Sequence, residues 1–376
     1  MSTPNATFFV TGDLVPLHDT VTLLAQGKCE EVFSTVLPEI RSCDLGITNL
    51  ECAATAGGEA IKKCGPNLKC DPAVLPALVK SGFQLFALAN NHSRDWGDAA
   101  FLETMENVEK AGGHYVGGGR DLEDSCKPFR TEINGIKITV FNSSMHTWCS
   151  ATLDNPGAAP LRPAYLTAQI AAEKANADFI LVVIHDGKEH VPFPSARIRD
   201  NYRSFIEAGA NAVIGHHPHI AQGYELYKGG FIAYSLGNFL FPPRVKNSAP
   251  SFWYKGYSVK LCIAPGKVSS FEIIPHFYDE ENSCLKLMTD TQKDEFTATL
   301  CRLNQILKDD RLCDRYYAAA VSKYLKMYES RMYEDHFYNY CVLGTEEHVD
   351  VFQTAGRDRA AGTELAAPDD LGDFLK

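Results

Sequence analysis

The chain has 376 residues, 45% hydrophobic and 22% charged, which is enough for one large α/β domain or two smaller ones. A net charge of −11 with no basic stretch excludes a general nucleic-acid footprint. No apolar run is long enough to span a membrane and the opening "MSTPNATFFVTGD" lacks a basic n-region, so a cytoplasmic protein with no membrane partner is expected.

In chain order, residues 6–13 (ATFFVTGD) read as a strand ending at Asp13. Residues 30–43 read as a helix with Pro38 a break in it, and 44–52 (DLGITNLEC) as a strand. Residues 83–92 form a nearly continuous apolar run that ends in Asn90, Asn91 and His92. Helical spacing with a glycine stop covers 98–113, and Asn134-Gly135 marks a hairpin. A helix at 165–177, a buried strand at 178–187 reaching His185 and a helix at 196–210 precede "NAVIGHHPH", a strand that runs out into a loop. From 224 the pattern changes to paired strands about Gly229-Gly230 and Pro265-Gly266, then a tyrosine-rich helical stretch over 290–340. Tyr317, Tyr324 and Tyr328 have roughly helical spacing, which suits core packing, with a lid or dimer face as the alternative.

These elements divide into an α/β domain over 1–285, a helical appendage over 286–342 and a loose acidic tail over 343–376. Twelve cysteines are scattered without any C-x-x-C, which suits reduced, buried side chains. Cys64 and Cys70 flank "GPNLK", where a loop clip or a metal contact is the alternative.

The strand endings carry the chemistry. Asp13, Glu51, Asn91, His185, His217 and His219 each follow an apolar strand, and sites in open α/β sheets form beyond the carboxyl ends of strands. In extended chain, residues i and i+2 share a face, so His217 and His219 are expected on one side and His216 on the other. Two carboxylates, an amide and three imidazoles suit one or two divalent ions such as Mn, Zn or Fe(II). The net positive charge left by such a set favours an anionic or carbonyl-bearing substrate, a small molecule or a peptide. The sequence does not set an oligomeric state.

The motifs "GDLV", "TNLE", "ANNHSRDWG", "HDGKEH", "GHHPHIAQG" and "YSLGNFLF" occur in the order seen in the CapA family of poly-γ-glutamate capsule-synthesis proteins, which this chain resembles over roughly residues 6–245. That family is similar in fold to calcineurin-like metallophosphoesterases. The resemblance implies an α-β-β-α sandwich of two sheets, to which the sequence adds a C-terminal helical appendage. It also implies metal ligands at Asp13, Glu51, Asn91, His185, His217 and His219, with Glu51 where phosphoesterases place a bridging aspartate. His92 matches the histidine used beside the ions as proton donor or oxyanion stabiliser. Asp95 orients His92 in this reading, or else caps the helix that follows.

Departures from the family pattern mark where chemistry changes. The residue two after Asp13 is Val15 where phosphoesterases have histidine, and "HDGKEH" has Asp186 and His190 where capsule-type members have Trp and Tyr. Arg120 in "GHYVGGGR" is a candidate anion contact at the rim. Lys188 and Glu189 are candidates for substrate contact or proton transfer, with plain surface charge as the alternative. His190 and His276 are candidate acid–base groups.

Three functions follow. The first is a dinuclear metallohydrolase that activates water against a phosphoester or an amide. The second is a metal-dependent epimerase or other enolate-forming enzyme, because a lasso-peptide epimerase resembles the same family. The third is a non-catalytic capsule-assembly protein.

Overall fold

The computed structural model describes residues 5–331, 345–360 and 367–375. The apolar runs fold as strands buried on both faces, an arrangement that requires covering layers above and below. β1 (Ala6–Leu14), β2 (Leu45–Leu50), β3 (Phe83–Ala87) and β4 (His114–Val116) lie parallel in a first sheet. Helices α1 (Asp19–Ala25), α2 (Leu75–Ser81) and α3 (Gly97–Lys110) lie along the connections between them.

The chain then builds a second sheet from β5 (Phe129–Ile133), β6 (Ile136–Ser144), β7 (Phe179–His185), β8 (Ala212–His216), β9 (Tyr224–Tyr227) and β10 (Gly230–Ala233). Their spatial order is β9-β10-β8-β7-β6-β5, with α4 (Pro163–Glu173) and α5 (Ala196–Ala208) as crossovers. The first sheet is completed by β11 (Asn238–Leu240), β12 (Lys255–Ala264), β13 (Lys267–Asp279) and β14 (Cys284–Leu287). It has eight strands in the order β14-β13-β12-β1-β2-β3-β4, with β11 paired to the end of β1.

Strand alternation sorts side chains into two cores. Phe8, Val10 and Ile47 join Val140, Val182 and Ile214 in one cluster, where Phe8 meets Phe179 edge-on with ring centroids 5.7 Å apart. Phe9 points the other way, into a cluster with Leu50, Phe86 and Phe101 beneath the helices. Each such buried side chain contributes roughly 1.5–3 kcal/mol. The result is the α-β-β-α sandwich expected from the sequence, with the carboxyl ends of β1, β2, β3, β7 and β8 gathered at one edge.

A backbone seam fixes that edge. β11 lies parallel against β1, with Asp13 in register with Asn238 and, on the other side, with Asn49 of β2. A Cβ on Gly12 would meet the Gly237 carbonyl oxygen at 1.9 Å, so only glycine permits the approach.

Several local expectations change. The helix expected over 30–43 is two pieces, Cys29–Phe33 and Leu37–Arg41, joined by a 3-10 turn at Ser34–Val36. Pro38 lies in the first turn of the second piece, where its missing N–H is not needed. Asn134 and Gly135 form the expected hairpin with φ of 53° and 78°. The next hairpin turns at Lys228-Gly229, not Gly229-Gly230.

The C-terminal part contains α6 (Asp290–Leu307), α7 (Asp310–Arg331) and α8 (Glu346–Ala360). Tyr317 and Tyr328 are buried, in keeping with core packing, and Tyr328 meets His348 of α8 at 4.9 Å between ring centroids. The described part of the expected loose tail is packed: α8 buries Glu347, Asp350 and Val351, and Phe374 lies against Phe193 and Tyr316. The appendage residues 332–342 and the tail residues 343–344, 361–366 and 376 lie outside the described residues. Among the described residues no cysteine is in a disulfide, and Cys52 Sγ lies 3.6 Å from Cys70 Sγ. No helix among them is long and apolar enough to cross a membrane.

Candidate metal centre

Parallel strands from both sheets deliver their last side chains to one buried cluster. Asp13 is the penultimate residue of β1, Glu51 follows β2, Asn91 follows β3, His185 ends β7, and His217 and His219 follow β8. All six are at most 6% exposed. Asn49 donates from Nδ2 to Asp13 Oδ1 at 2.8 Å and lies 3.2 Å from His185 Nδ1. His185 Nε2 lies 2.8 Å from Asn91 Oδ1, 3.4 Å from Glu51 Oε1 and 3.2 Å from His217 Nδ1. His219 lies 3.3 Å from Asp13 through Nδ1 and 3.7 Å from Glu51 through Nε2.

The histidine pair arises differently from the sequence expectation. The strand ends at His216, and His217 and His219 have φ of 98° and 55°, so a left-handed bend and not extended chain aims them together. Their ring centroids are 5.9 Å apart. His216 turns away, as expected, and its Nε2 lies 2.8 Å from the Thr11 carbonyl.

The donor set fits divalent cations. Glu51 is fully buried and neither carboxylate oxygen has a hydrogen-bond partner. An isolated buried carboxylate costs several kcal/mol, so a cation is the natural complement. Burial and then the neighbouring Asp13 push the Glu51 carboxyl well above the usual range. Burial opposes charge on His219, but Glu51 and Asp13 outweigh it and raise the ring to about 10. Burial and His217 push His185 well below the ordinary imidazole range, leaving it neutral and able to ligate. Glu51 belongs to two candidate ligand groups, with Asp13 and His185 and with His217 and His219; within each, donor atoms lie within 4.8 Å of one another.

His92 stands beside the cluster. Its Nδ1 lies 2.6 Å from Asp95 Oδ2 and 3.1 Å from the Lys63 ammonium, which also pairs with Asp95. Burial and then Lys63 outweigh Asp95 and lower His92 to about 4. Asp95 does not cap α3, whose N-cap is Trp96 without a side-chain bond; its Oδ2 instead accepts from the Leu68 amide at 2.7 Å. A cavity of about 420 Å³ opens here, bordered by Lys63, His92, Trp148, Glu189, Tyr324 and Glu347.

Other expected residues separate into those at the cavity and those away from it. His190 lines the cavity near Phe252 and Trp253, and Lys188 is buried in an ion pair with Glu347. Arg120 is exposed on a different loop, its backbone N–H held by Asp124, and does not border this cavity. His276 is fully buried on β13, with its ring against Phe239 and neither ring nitrogen bonded. The period-two face of β13 directs it, with Ile274 and Tyr278, toward the helix-side core, so it cannot serve as an acid–base group at the cavity.

Lys63 and Glu347 were not singled out as site residues from sequence, whereas Asn49, two residues before Glu51, stands with it as a polar group of ligand type at the same strand end. Lys63 comes from a loop without periodicity and Glu347 from the segment read as tail.

Two sheets between helices, with carboxylate, amide and imidazole donors gathered at their carboxyl ends, define a metallophosphoesterase-like protein. Within that class the chain belongs to the family described as bacterial capsule synthesis protein PGA_cap, whose model matches residues 7–243. It is 30% identical over 255 residues to the capsule biosynthesis protein CapA of Bacillus anthracis, covering 65% of this chain and 62% of that one. It is also 30% identical over 236 residues to the PGA biosynthesis protein CapA of Bacillus subtilis, covering 61% and 62%. A probable polyglutamine synthesis accessory protein of Mycobacterium tuberculosis is 28% identical over 214 residues, covering 53% and 56%. The chain thus spans about 62% of the length of the Bacillus relatives. Among solved structures, a hypothetical protein from Thermus thermophilus matches with a TM-score of 0.45 at 18% identity, covering 72% of this chain and 98% of that one. A 5′-nucleotidase precursor from the same organism matches with a TM-score of 0.43 at 11% identity, covering 79% and 58%.

Proposed function

We propose that the chain is a metal-dependent hydrolase of an amide or peptide-type bond, with two divalent ions held by Asp13, Glu51, Asn91, His185, His217 and His219. The observation that carries this reading is Glu51: it is buried, neither of its oxygens has a hydrogen bond, and it belongs to both the Asp13–His185 and the His217–His219 donor groups, so it would serve both ions. Such ions supply Lewis acidity and an activated water. His92, oriented by Asp95, faces the leaving group and exchanges its proton through Nε2. Lys63 and Asp95 fix that ring.

An amide is preferred to a phosphoester because both lysines lining the cavity are already matched to carboxylates, Lys63 to Asp95 and Lys188 to Glu347. The rest of the wall includes Trp148, Tyr324 and Tyr328, which suit an uncharged peptide-type group. The relatives' association with polyglutamate or polyglutamine synthesis agrees with a peptide-type substrate. The test is turnover by the metal-replete protein on γ-glutamyl and α-peptide amides against aryl phosphates. Faster phosphate release than amide cleavage overturns the preference.

A second reading has one observation in its favour. His92 and the Glu189–His190 pair line the same cavity from the ends of different strands, as an epimerase needs for proton exchange on two faces of an α-carbon. Solvent deuterium entering an intact peptide without bond cleavage would select it.

A further inference from the structure

Beyond the family-matched segment, one carboxylate reaches into the metal centre. Glu347, in the first turn of α8, is buried; its Oε2 faces His217 Nε2 at 3.5 Å and its Oε1 pairs with Lys188. His217 is fully buried, and its Nε2 has no hydrogen-bond partner. Its other nitrogen, Nδ1, faces His185 Nε2 at 3.2 Å, inside the donor cluster. An imidazole directs its two nitrogens apart, so one edge meets the cluster and the other meets α8. Histidines that ligate a metal commonly donate their remote N–H to a carboxylate, which fixes tautomer and ring orientation.

We propose that Glu347 is a positioning residue for the metal ligand His217, and that the "HDGKEH" segment is the mooring that holds it there. This rests on the metal-centre reading given above. Asp186 is gripped by Arg197 through bonds of 2.7 and 2.9 Å. Arg197 also reaches Asp350 of α8 at 2.8 Å, and Ser195 donates to Asp350 at 3.0 Å. Two positions of the motif thus connect to α8, Asp186 through Arg197 and Lys188 directly through Glu347. The helix is consequently part of the centre, supplying a carboxylate from beyond the family-matched residues to this nitrogen, in a group whose donor atoms, with Glu189, lie within 4.8 Å of one another.

The experiment measures divalent-metal affinity, with Mn²⁺ and Zn²⁺ as probes, by chelator competition on the full-length protein stripped of metal. Three proteins are compared: wild type, Glu347→Gln and Asp350→Asn. Asp350 moors α8 without touching His217, and amide hydrogen exchange over 346–360 reports whether α8 stays docked in each variant. The expected result is a 10–100-fold loss of affinity in Glu347→Gln with α8 still protected. Unchanged stoichiometry and a smaller loss in Asp350→Asn complete it, and Glu347→Asp recovers part of the affinity. Unchanged affinity in Glu347→Gln overturns the proposal. Equal losses in both variants overturn it in favour of helix docking alone. Loss of a whole ion per chain overturns it by making Glu347 a ligand. A wild-type protein that binds neither ion refutes the metal centre itself, an outcome distinct from the others.

Discussion

Asp95 holds His92: the carboxylate lies 2.6 Å from Nδ1, and both side chains are buried beside the donor cluster. The ring therefore presents Nε2 to the cavity, and its charge and direction are set before any substrate arrives. Replacing His92 with alanine should leave metal content intact, since all six proposed ligands remain. Turnover should fall by roughly a hundredfold or more, the usual loss for one acid–base group. Metal analysis beside steady-state kinetics checks this; lost metal would make His92 a ligand, and retained turnover would move the proton transfer to Glu189 or His190.

Glu51 sits buried without a hydrogen-bond partner, so in metal-free protein it is a liability. Its carboxyl is pushed well above the usual range, so stability falls as pH rises beyond the ordinary glutamate value. Glu51→Gln should bind metal far more weakly, yet its metal-free form should be at least as stable as metal-free wild type at pH 7. Thermal melts in chelator, with and without added Mn²⁺, provide the measurement. A metal-free variant several degrees less stable than metal-free wild type would contradict it.

Metal binding should release protons. In the metal-free protein His219 is raised to about 10 by Glu51 and Asp13 and therefore carries a proton at neutral pH. A ligating imidazole must be neutral, so an incoming cation displaces that proton, and apparent affinity should rise with pH between about 6 and 8. Calorimetry in buffers of different ionisation enthalpy should show at least one proton released per chain. A pH-independent affinity would mean that His219 is not displaced.

Arg197 ties Asp186 to Asp350, and both carboxylates are buried. Arg197→Met should leave two uncompensated charges and cost about 3 kcal/mol, the lower end of the range for breaking a buried pair, because Arg197 is itself part-exposed. Hydrogen exchange should localise the damage to α8 and the 186–190 loop. Undiminished protection over 346–360 would show that the mooring lies elsewhere.

The parallel-strand half of the molecule was legible because buried strands announce themselves as apolar runs, and their ends carry the donors. Asp13, His185 and the His217–His219 pair came together as the strand endings implied. The reason for the last pair was misread, since a positive-φ bend replaces extended chain and leaves no periodic signature. His276 illustrates the opposite failure: a histidine near a strand end looks chemical in one dimension, while the face it occupies is decided by register. Lys63 and Glu347 were invisible for a different reason. Each reaches the centre from far along the chain, Lys63 from an aperiodic loop and Glu347 across a long tertiary contact, and neither lies in a motif that specifies a partner.

The seam between Gly12 and Gly237 has a practical consequence for anyone redesigning this protein. "GDLV" and "YSLGNF" behave as one unit, because alanine at Gly12 would lever β11 away and carry Asn238, 2.9 Å from His219, with it. A mutagenesis library should hold both motifs constant. Trp148 should be held as well, because its Nε1 donates to the Asn91 carbonyl at 3.2 Å. Diversity belongs at Tyr324 and Tyr328, which border the cavity, so that substrate preference can be varied while the donors stay in place.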